Sequence, residues 1–372
     1  MKSTIQRYAF IDTLRALAIL GVMAVHTAQW VQPDSAVFRR ITENGARGVQ
    51  LFFVASALTI FMSIKARSAD EYAPVRDFFI RRFFRIAPLF YLGIIFWLLI
   101  EGFSPRYWAP NGIDGWTVFL TATFLHGFNP ETMTSLVPGG WSIAVEMSFY
   151  LIAPLLFKHI QDLRGAVKFF LLALAVGVLF SGAVRSYWLA VYAPEQRYLA
   201  SSYATLWFFA QLPIFALGII AFFALPKFTF TARSPLWGYS LLILVLLLWL
   251  LLIALRTFSL LSQVLYGVSF VLLALALAVH PTRLLVNSYV RKLGQISFSC
   301  YMIHFVVLYA FEKVLFCDGF ALGGDVGFTA AFCLVMVVSS TVSLVTYRYV
   351  ERPGIAMGSL IIERIERSKG GQ

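Results

Sequence analysis

Charged residues are scarce in this chain of 372 residues, because Asp, Glu, Lys and Arg together make up only 13% of the sequence. A soluble domain typically has about 25% charged residues. Hydrophobic residues reach 60%, and the mean hydropathy is +0.79. This composition excludes an ordinary soluble domain and predicts a polytopic membrane protein.

Cysteine is also rare: Cys300, Cys317 and Cys333 lie within or at the ends of apolar runs. Their spacing is not that of a metal site, so we expect buried thiols, no disulfide framework and no bound metal. The sequence has no paired repeat of the kind seen in transporters built from inverted halves. The first apolar run leads into Gln29-Trp30 rather than a cleavage site, so we expect no cleaved signal peptide.

The apolar runs predict an all-α membrane protein with about ten spanning helices. The predicted spans are roughly 10–30, 46–65, 84–101, 141–157, 168–189, 203–225, 236–255, 259–279, 296–316 and 327–349. The apolar segment 116–126 is too short to cross a bilayer, so we expect a re-entrant or interfacial helix there. We expect one membrane-embedded domain over 1–372, with its core at 8–355 and a short cytoplasmic tail at 356–372.

The distribution of Lys and Arg predicts the orientation. If the N-terminus is cytoplasmic, most of these residues fall in segments on the inner side, which is the usual bias. Both termini are therefore expected in the cytoplasm. The net charge of +12 is explained by the basic residues of these inner segments. We therefore expect the lipid bilayer, and no nucleic acid, as the partner.

The first predicted span carries Asp12, Arg15 and His26. On a helix, Arg15 and His26 lie on one face about 16 Å apart, at ~1.5 Å per residue. Ionisable residues inside a span are costly and are candidates for function. The alternative is structural: Arg15 reaches the membrane surface and His26 bonds across the bundle.

The second cluster, Arg81, Arg82 and Arg85, precedes the third predicted span. Guanidinium groups suit phosphates, so the cluster is a candidate site for a cytoplasmic phosphorylated cofactor. Juxtamembrane arginines also serve topology or bind anionic lipid headgroups, and that alternative stays open.

The third cluster opens the fourth predicted span, where Ser142, Glu146 and Tyr150 share one helical stripe after Trp141. By position in their spans, we expect Glu146 and His26 at similar depth. There the carboxylate could orient the imidazole for proton transfer, or the two could form only an interhelical hydrogen bond.

Two further clusters are weaker taken alone. Ser297, Tyr301 and His304 share a face of the ninth predicted span, although such residues also join membrane helices without other function. At the end of the last span, Pro353 is predicted to stop the helix and Glu351 to pair with a nearby arginine.

The one long loop, 102–140, is expected on the outer side as a lid or a platform for a second substrate. Its Trp108, Trp116 and His126, together with Trp141, are candidates for stacking on and hydrogen-bonding a bound molecule. The tryptophans are also typical interface anchors.

Taken in order, these residues resemble the acyltransferase 3 family of membrane O-acyltransferases, over residues 8 to about 355. The motifs that carry the resemblance are Asp12-x-x-Arg15 with His26 eleven residues on, Arg82-x-x-Arg85, Trp141-Ser142-x-x-x-Glu146-x-x-Phe149-Tyr150, Ser297-x-x-x-Tyr301-x-x-His304 and Glu351-x-Pro353.

The resemblance implies transfer of an acyl group, usually acetyl, from cytoplasmic acyl-CoA to a hydroxyl of a carbohydrate, glycolipid or polysaccharide. Acyl-CoA is then a co-substrate, with no tightly bound cofactor, and a bacterial inner membrane is the expected location. We predict His26 and Glu146 as catalytic residues. The predicted donor-binding residues are Arg15, Arg81, Arg82, Arg85, Ser297, Tyr301 and His304. The predicted acceptor-binding residues are Asp12, His126, Trp141, Ser142 and Tyr150.

Three alternatives remain at this point. The first concerns the mechanism: transfer is either direct or passes through an acylated His26. The second is a multi-span transporter or flippase that uses its buried charges as a permeation path. The third is a structural or sensory membrane protein in which the polar residues only hold the helices together.

Overall fold

The computed structural model describes residues 2–67, 71–231, 235–255, 259–314 and 323–370. These residues form helices and no strand. Within these ranges, nine helical segments are long and apolar enough to cross a membrane, or ten if one bent pair counts as a span. The predicted all-α fold with about ten spans is therefore confirmed. The predicted cytoplasmic position of both termini stays a prediction.

The chain divides into two compact units, 1–59 with 217–347, and 60–216 with 348–372. Two helices contribute to both units, α3 (Gly48–Arg67) and α9 (Phe208–Thr231). The other helices of the first unit are α1 (Lys2–Ala28), α2 (Ala36–Glu43), α10 (Pro235–Leu255), α11 (Leu260–Val279), α12 (Ser288–Gln295), α13 (Ser297–Val314) and α14 (Gly324–Thr346). The other helices of the second unit are α4 (Pro74–Glu101), α5 (Gly115–Ala122), α6 (Gly140–His159), α7 (Leu163–Val191), α8 (Arg197–Leu206) and α15 (Arg352–Gly370).

In the first unit, glycines bring neighbouring backbones against α1. A Cβ added at Gly294 would overlap the carbonyl oxygen of Asp12, and one added at Gly48 would overlap that of Ala18. Gly45 meets Gly21 of α1 in the same way. The buried hydroxyl of Thr13 also donates to the carbonyl of Leu285, 3.1 Å away. These contacts fix the helix that carries Arg15 and His26.

The predicted ninth span, 296–316, corresponds to α13, and the short helix α12 precedes it at an angle of 75°. Asn287 begins α12 by accepting hydrogen bonds from the backbone N–H groups of Tyr289 and Val290. Cys300 of α13 is buried as expected. Cys333 of α14 is exposed, so the expectation of burial is wrong there, and Cys317 lies outside the described residues.

In the second unit, α4 begins at Pro74, well before the predicted start of the third span. The arginines at 81, 82 and 85 therefore lie within the helix rather than ahead of it. Pro74 fits the first turn, where the missing N–H is not needed, whereas Pro88 stands inside the helix.

The prediction that Pro353 ends the last helix is wrong. After α14, a π-helical turn over Tyr347–Glu351 leads directly into α15, with Pro353 in its first turn. Proline is compatible with that position because the first N–H groups of a helix have no partner within the helix. Most of the expected tail, from residue 356, is thus helical.

The segment predicted at 116–126 contains the short helix α5, which has 8 residues and is about 12 Å long. Asp114 caps it by accepting from the N–H of Thr117 at 2.7 Å. A 3₁₀ turn, His126–Phe128, follows. The prediction of a short helix that does not span a membrane is confirmed, although α5 ends at Ala122.

We expect Gly294→Ala to lower the free energy of unfolding by about 1–3 kcal/mol, because the added methyl group must push α12 away from α1. Thermal unfolding in detergent micelles measures this loss. Gly182→Ala in α7 is the matched control, since a Cβ there meets nothing within 4 Å. Equal stability of the two variants would contradict the proposed close packing.

Candidate active site

His26 lies in the last turn of α1 and is half-buried. Its Nδ1 donates to the side-chain oxygen of Gln29, 3.2 Å away. Its ring packs against Phe305, with 4.6 Å between ring centroids, and against His304, with 5.4 Å. In this tautomer Nε2 carries the lone pair, so the imidazole is oriented as a hydrogen-bond acceptor or a base.

His304 is fully buried beside His26. Its Nδ1 donates to the carbonyl of Cys300 at 3.1 Å, and its Nε2 has no hydrogen-bond partner. Ser297 and Tyr301, on the same helix, are also buried. The structure therefore brings the polar cluster of α1 into contact with the polar cluster of α13, through the imidazole rings of His26 and His304. Sequence reasoning missed this neighbour of His26, because nothing in helical spacing relates α1 to α13.

Arg15 and Asp12 contact different parts of the first unit. Arg15 Nη2 donates to the hydroxyl of Thr59 at 3.4 Å, and Asp12 Oδ2 accepts from Gln295 Nε2 at 3.3 Å. Gln295 is the last residue of α12 and had no role in the sequence prediction.

In the second unit, Glu146 accepts a 2.6 Å hydrogen bond from the hydroxyl of Tyr150, one turn further along α6. The guanidinium carbon of Arg82 lies 5.5 Å from the ring centroid of Tyr150 and 5.5 Å from that of Phe78. The predicted stripe on α6 therefore exists. It also adjoins the arginine cluster of α4, which the sequence did not predict.

The three arginines of α4 have different surroundings. Arg81 donates to both carboxylate oxygens of Glu71, at 2.7 and 2.9 Å. Arg82 lies beside two aromatic rings and near the carboxylate of Glu146, and Arg85 is partly exposed. Because Arg81 is bonded to both carboxylate oxygens of Glu71, Arg82 and Arg85 are the stronger candidates for binding an anion.

The start of α6 is fixed by backbone geometry and by His126. Gly139, at φ +73°, turns the chain into the helix, a conformation that glycine adopts without strain. His126 Nε2 donates to the carbonyl of Gly140 at 3.0 Å, and the ring stacks on Phe90. Ser142 donates to the carbonyl of Gly139 at 3.0 Å. These contacts hold the first turn of α6, which carries Trp141.

His126 is 2% exposed. This burial gives it a scaffold position and disfavours direct contact with an acceptor. Trp116 of the same loop is exposed, and Trp141 is half-buried. The roles predicted for His126, Trp141 and Ser142 in acceptor binding, and the pairing of His26 with Glu146, stay predictions.

The chain matches a known family along most of its length. The family model of the acyltransferase 3 group, described as an acyltransferase domain, matches residues 8–348. No solved structure matches the chain.

Three proteins share sequence similarity with the chain. A Bacillus subtilis (strain 168) protein provisionally named a peptidoglycan O-acetyltransferase is 28% identical over 162 residues, 39% of this chain and 23% of the relative. The peptidoglycan O-acetyltransferase OatA of Listeria monocytogenes is 27% identical over 161 residues, again 39% and 23%. A provisionally named acetyltransferase of Acidianus two-tailed virus is 26% identical over 328 residues, 87% of this chain and 89% of the relative. The chain thus covers only 23% of the length of the two bacterial relatives.

We expect the scaffold around His126 to weaken in acid. Burial lowers the pKa of His126 to about 4, against about 6.5 for an exposed histidine. Between these values the unfolded chain takes up a proton that the folded chain does not. The neutral His126 therefore contributes about 3 kcal/mol to the free energy of unfolding above about pH 6.5. This contribution is lost as the pH falls toward 4.

Thermal unfolding in micelles between pH 7 and pH 4.5 tests this expectation. His126→Asn, whose side chain does not titrate, should be less stable than wild type at pH 7 but lose less stability on acidification. Parallel pH profiles for the two proteins would show that His126 does not contribute.

Proposed function

Since the chain belongs to the acyltransferase 3 family, and is thus an integral membrane protein, we propose that it is an O-acyltransferase. It transfers an acyl group, expected to be acetyl, from cytoplasmic acyl-CoA to a hydroxyl of a carbohydrate, glycolipid or polysaccharide. The names of the bacterial relatives support O-acetylation of a cell-wall polymer as one such reaction.

The observation that carries this proposal is the orientation of His26. Its Nδ1 is held by Gln29 and its ring by Phe305 and His304, so Nε2 is the basic atom. We propose that Nε2 takes the proton of the acceptor hydroxyl as its oxygen attacks the thioester carbonyl carbon. The new C–O bond forms, the C–S bond breaks, and the CoA thiolate takes the proton back from His26.

Glu146 is the proposed partner of His26, stabilising its charged form. Its hydrogen bond from Tyr150 supports this role, because a bonded carboxylate is held in one orientation. Trp141, Ser142, Tyr150 and Asp12 are the proposed acceptor-binding residues. His126 contributes by holding the first turn of α6.

The donor site is proposed around the arginines of α4. Arg82 and Arg85 would bind the anionic nucleotide end of CoA, with Arg81, already bonded to Glu71, beside them. Arg15 and the face formed by Ser297, Tyr301 and His304 would line the path of the pantetheine arm. In this proposal the arginine cluster lies at the cytoplasmic side of a bacterial inner membrane.

A transporter or flippase remains the second candidate, because buried charged residues also form permeation paths. Binding of CoA by the purified protein favours the acyltransferase over this alternative. The absence of any binding of CoA or acetyl-CoA would favour the transporter.

We expect His26→Ala to lower the rate of acyl transfer by about 10² to 10⁴, the usual contribution of a general base. The measurement is transfer of labelled acetyl from acetyl-CoA to the cell's glycans in membranes containing equal amounts of each variant. His159→Ala, at the exposed end of α6, is the matched control and should keep wild-type activity. Full turnover by the His26 variant would refute its assignment as the base.

We expect Arg85→Ala to weaken CoA binding by roughly tenfold, since one charge-assisted contact with a phosphate contributes about 1.4 kcal/mol or more. Isothermal titration of the purified protein with CoA measures this change. Arg164→Ala, an exposed arginine at the start of α7, is the control and should bind like wild type. Equal affinities for all three proteins would remove Arg85 from the donor site.

A further inference from the structure

The C-terminal helix α15 packs against α4 within the second unit. Its buried positions, together with the residue just before it, are Glu351, Gly354, Gly358 and Ile362, which follow one another at helical spacing. A single face of α15 is therefore turned inward, and two of its three buried positions are glycines.

Gly354 brings the two backbones together at the proline of α4. A Cβ added to Gly354 would lie 2.7 Å from the carbonyl oxygen of Phe84 and 2.8 Å from Cγ of Pro88. Because proline has no N–H, Pro88 cannot donate to the carbonyl of Phe84 as a regular helix requires. Gly354 thus approaches α4 at the turn where Pro88 interrupts the regular backbone hydrogen bonds of α4.

Gly358 continues this contact one turn along α15. A Cβ there would lie 3.0 Å from Cβ of Phe84 and 3.6 Å from the carbonyl oxygen of Ile80. Ile80, Phe84 and Pro88 are spaced four residues apart and so form one face of α4.

Arg82 lies on the other side of the same helical turns. At about 100° per residue, it is roughly 160° around α4 from Phe84. There it faces the rings of Tyr150 and Phe78. The turn of α4 that bears Arg82 is therefore contacted by α15 on one side and by Tyr150 of α6 on the opposite side.

We propose that α15 is a positioning helix for the donor site, and that Gly354 is its key residue. By seating closely against the proline-interrupted turn of α4, it fixes the direction in which Arg82 and Arg85 present their guanidinium groups. This inference rests on the proposed function, because it takes those arginines to bind the anionic end of CoA. Gly354 itself touches neither substrate.

The test compares CoA with pantetheine, which lacks the nucleotide and its phosphates, as ligands of the purified full-length protein. We expect Gly354→Ala to weaken CoA binding by roughly 5- to 10-fold, because moving the guanidinium groups weakens their contacts with the phosphates, and losing one such contact costs roughly tenfold. Binding of pantetheine, measured by competition with a labelled acyl-pantetheine, should stay within about twofold of wild type. A general loss of structure would reduce both affinities together.

Two further variants make the outcome decisive. Gly358→Ala makes a less severe contact, 3.0 Å from Cβ of Phe84 rather than 2.7 Å from its carbonyl oxygen. It should therefore give the same selective loss in milder form even if Gly354→Ala does not fold. Gly182→Ala, in open surroundings on α7, should bind both ligands like wild type.

Selective loss of CoA affinity in the Gly354 or Gly358 variant supports the inference. Wild-type CoA affinity in folded variants, or equal loss for CoA and pantetheine, overturns it while leaving the donor site in place. A wild-type protein that does not bind CoA overturns the donor site and this inference together.

Discussion

Direct contact between helix backbones is the constraint on which the described structure depends most. In the first unit, glycines at 45, 48 and 294 let flanking segments reach the backbone of α1. In the second, Gly354 and Gly358 do the same at α4. Without water to drive helices together, such packing is a main source of stability in a membrane. Both helices held in this way carry charged residues of the candidate site.

This packing explains how costly polar groups are kept in place. Arg82 lies beside two aromatic rings, and Tyr150 donates to Glu146 on its own helix. His26 and His304 each bond an oxygen within a turn of their own position. Each group is thus oriented by its own helix and by one close neighbour. Rigid orientation of this kind is what proton transfer and anion binding require.

Much of the candidate site could be predicted from helical spacing. The stripe from Ser142 to Tyr150 and the face shared by Ser297, Tyr301 and His304 follow from residues three or four apart. The bond between Tyr150 and Glu146 is one result. The contact of His26 with His304, the bond from Gln295 to Asp12 and the engagement of Arg81 by Glu71 could not be predicted. They join separate segments, and helical periodicity carries no information about such pairs.

The sequence by itself determined the class of the protein, the number of apolar helices and the family, because hydropathy and motif order are properties of the linear chain. It failed at Pro353, since proline is tolerated in the first turn of a new helix and only the structure places α15 there. Only the tertiary structure decided which arginine is already paired, which imidazole lies beside His26 and what supports the arginine-bearing turn. Those outcomes depend on how closely two backbones approach, and the approach is set by packing between distant segments.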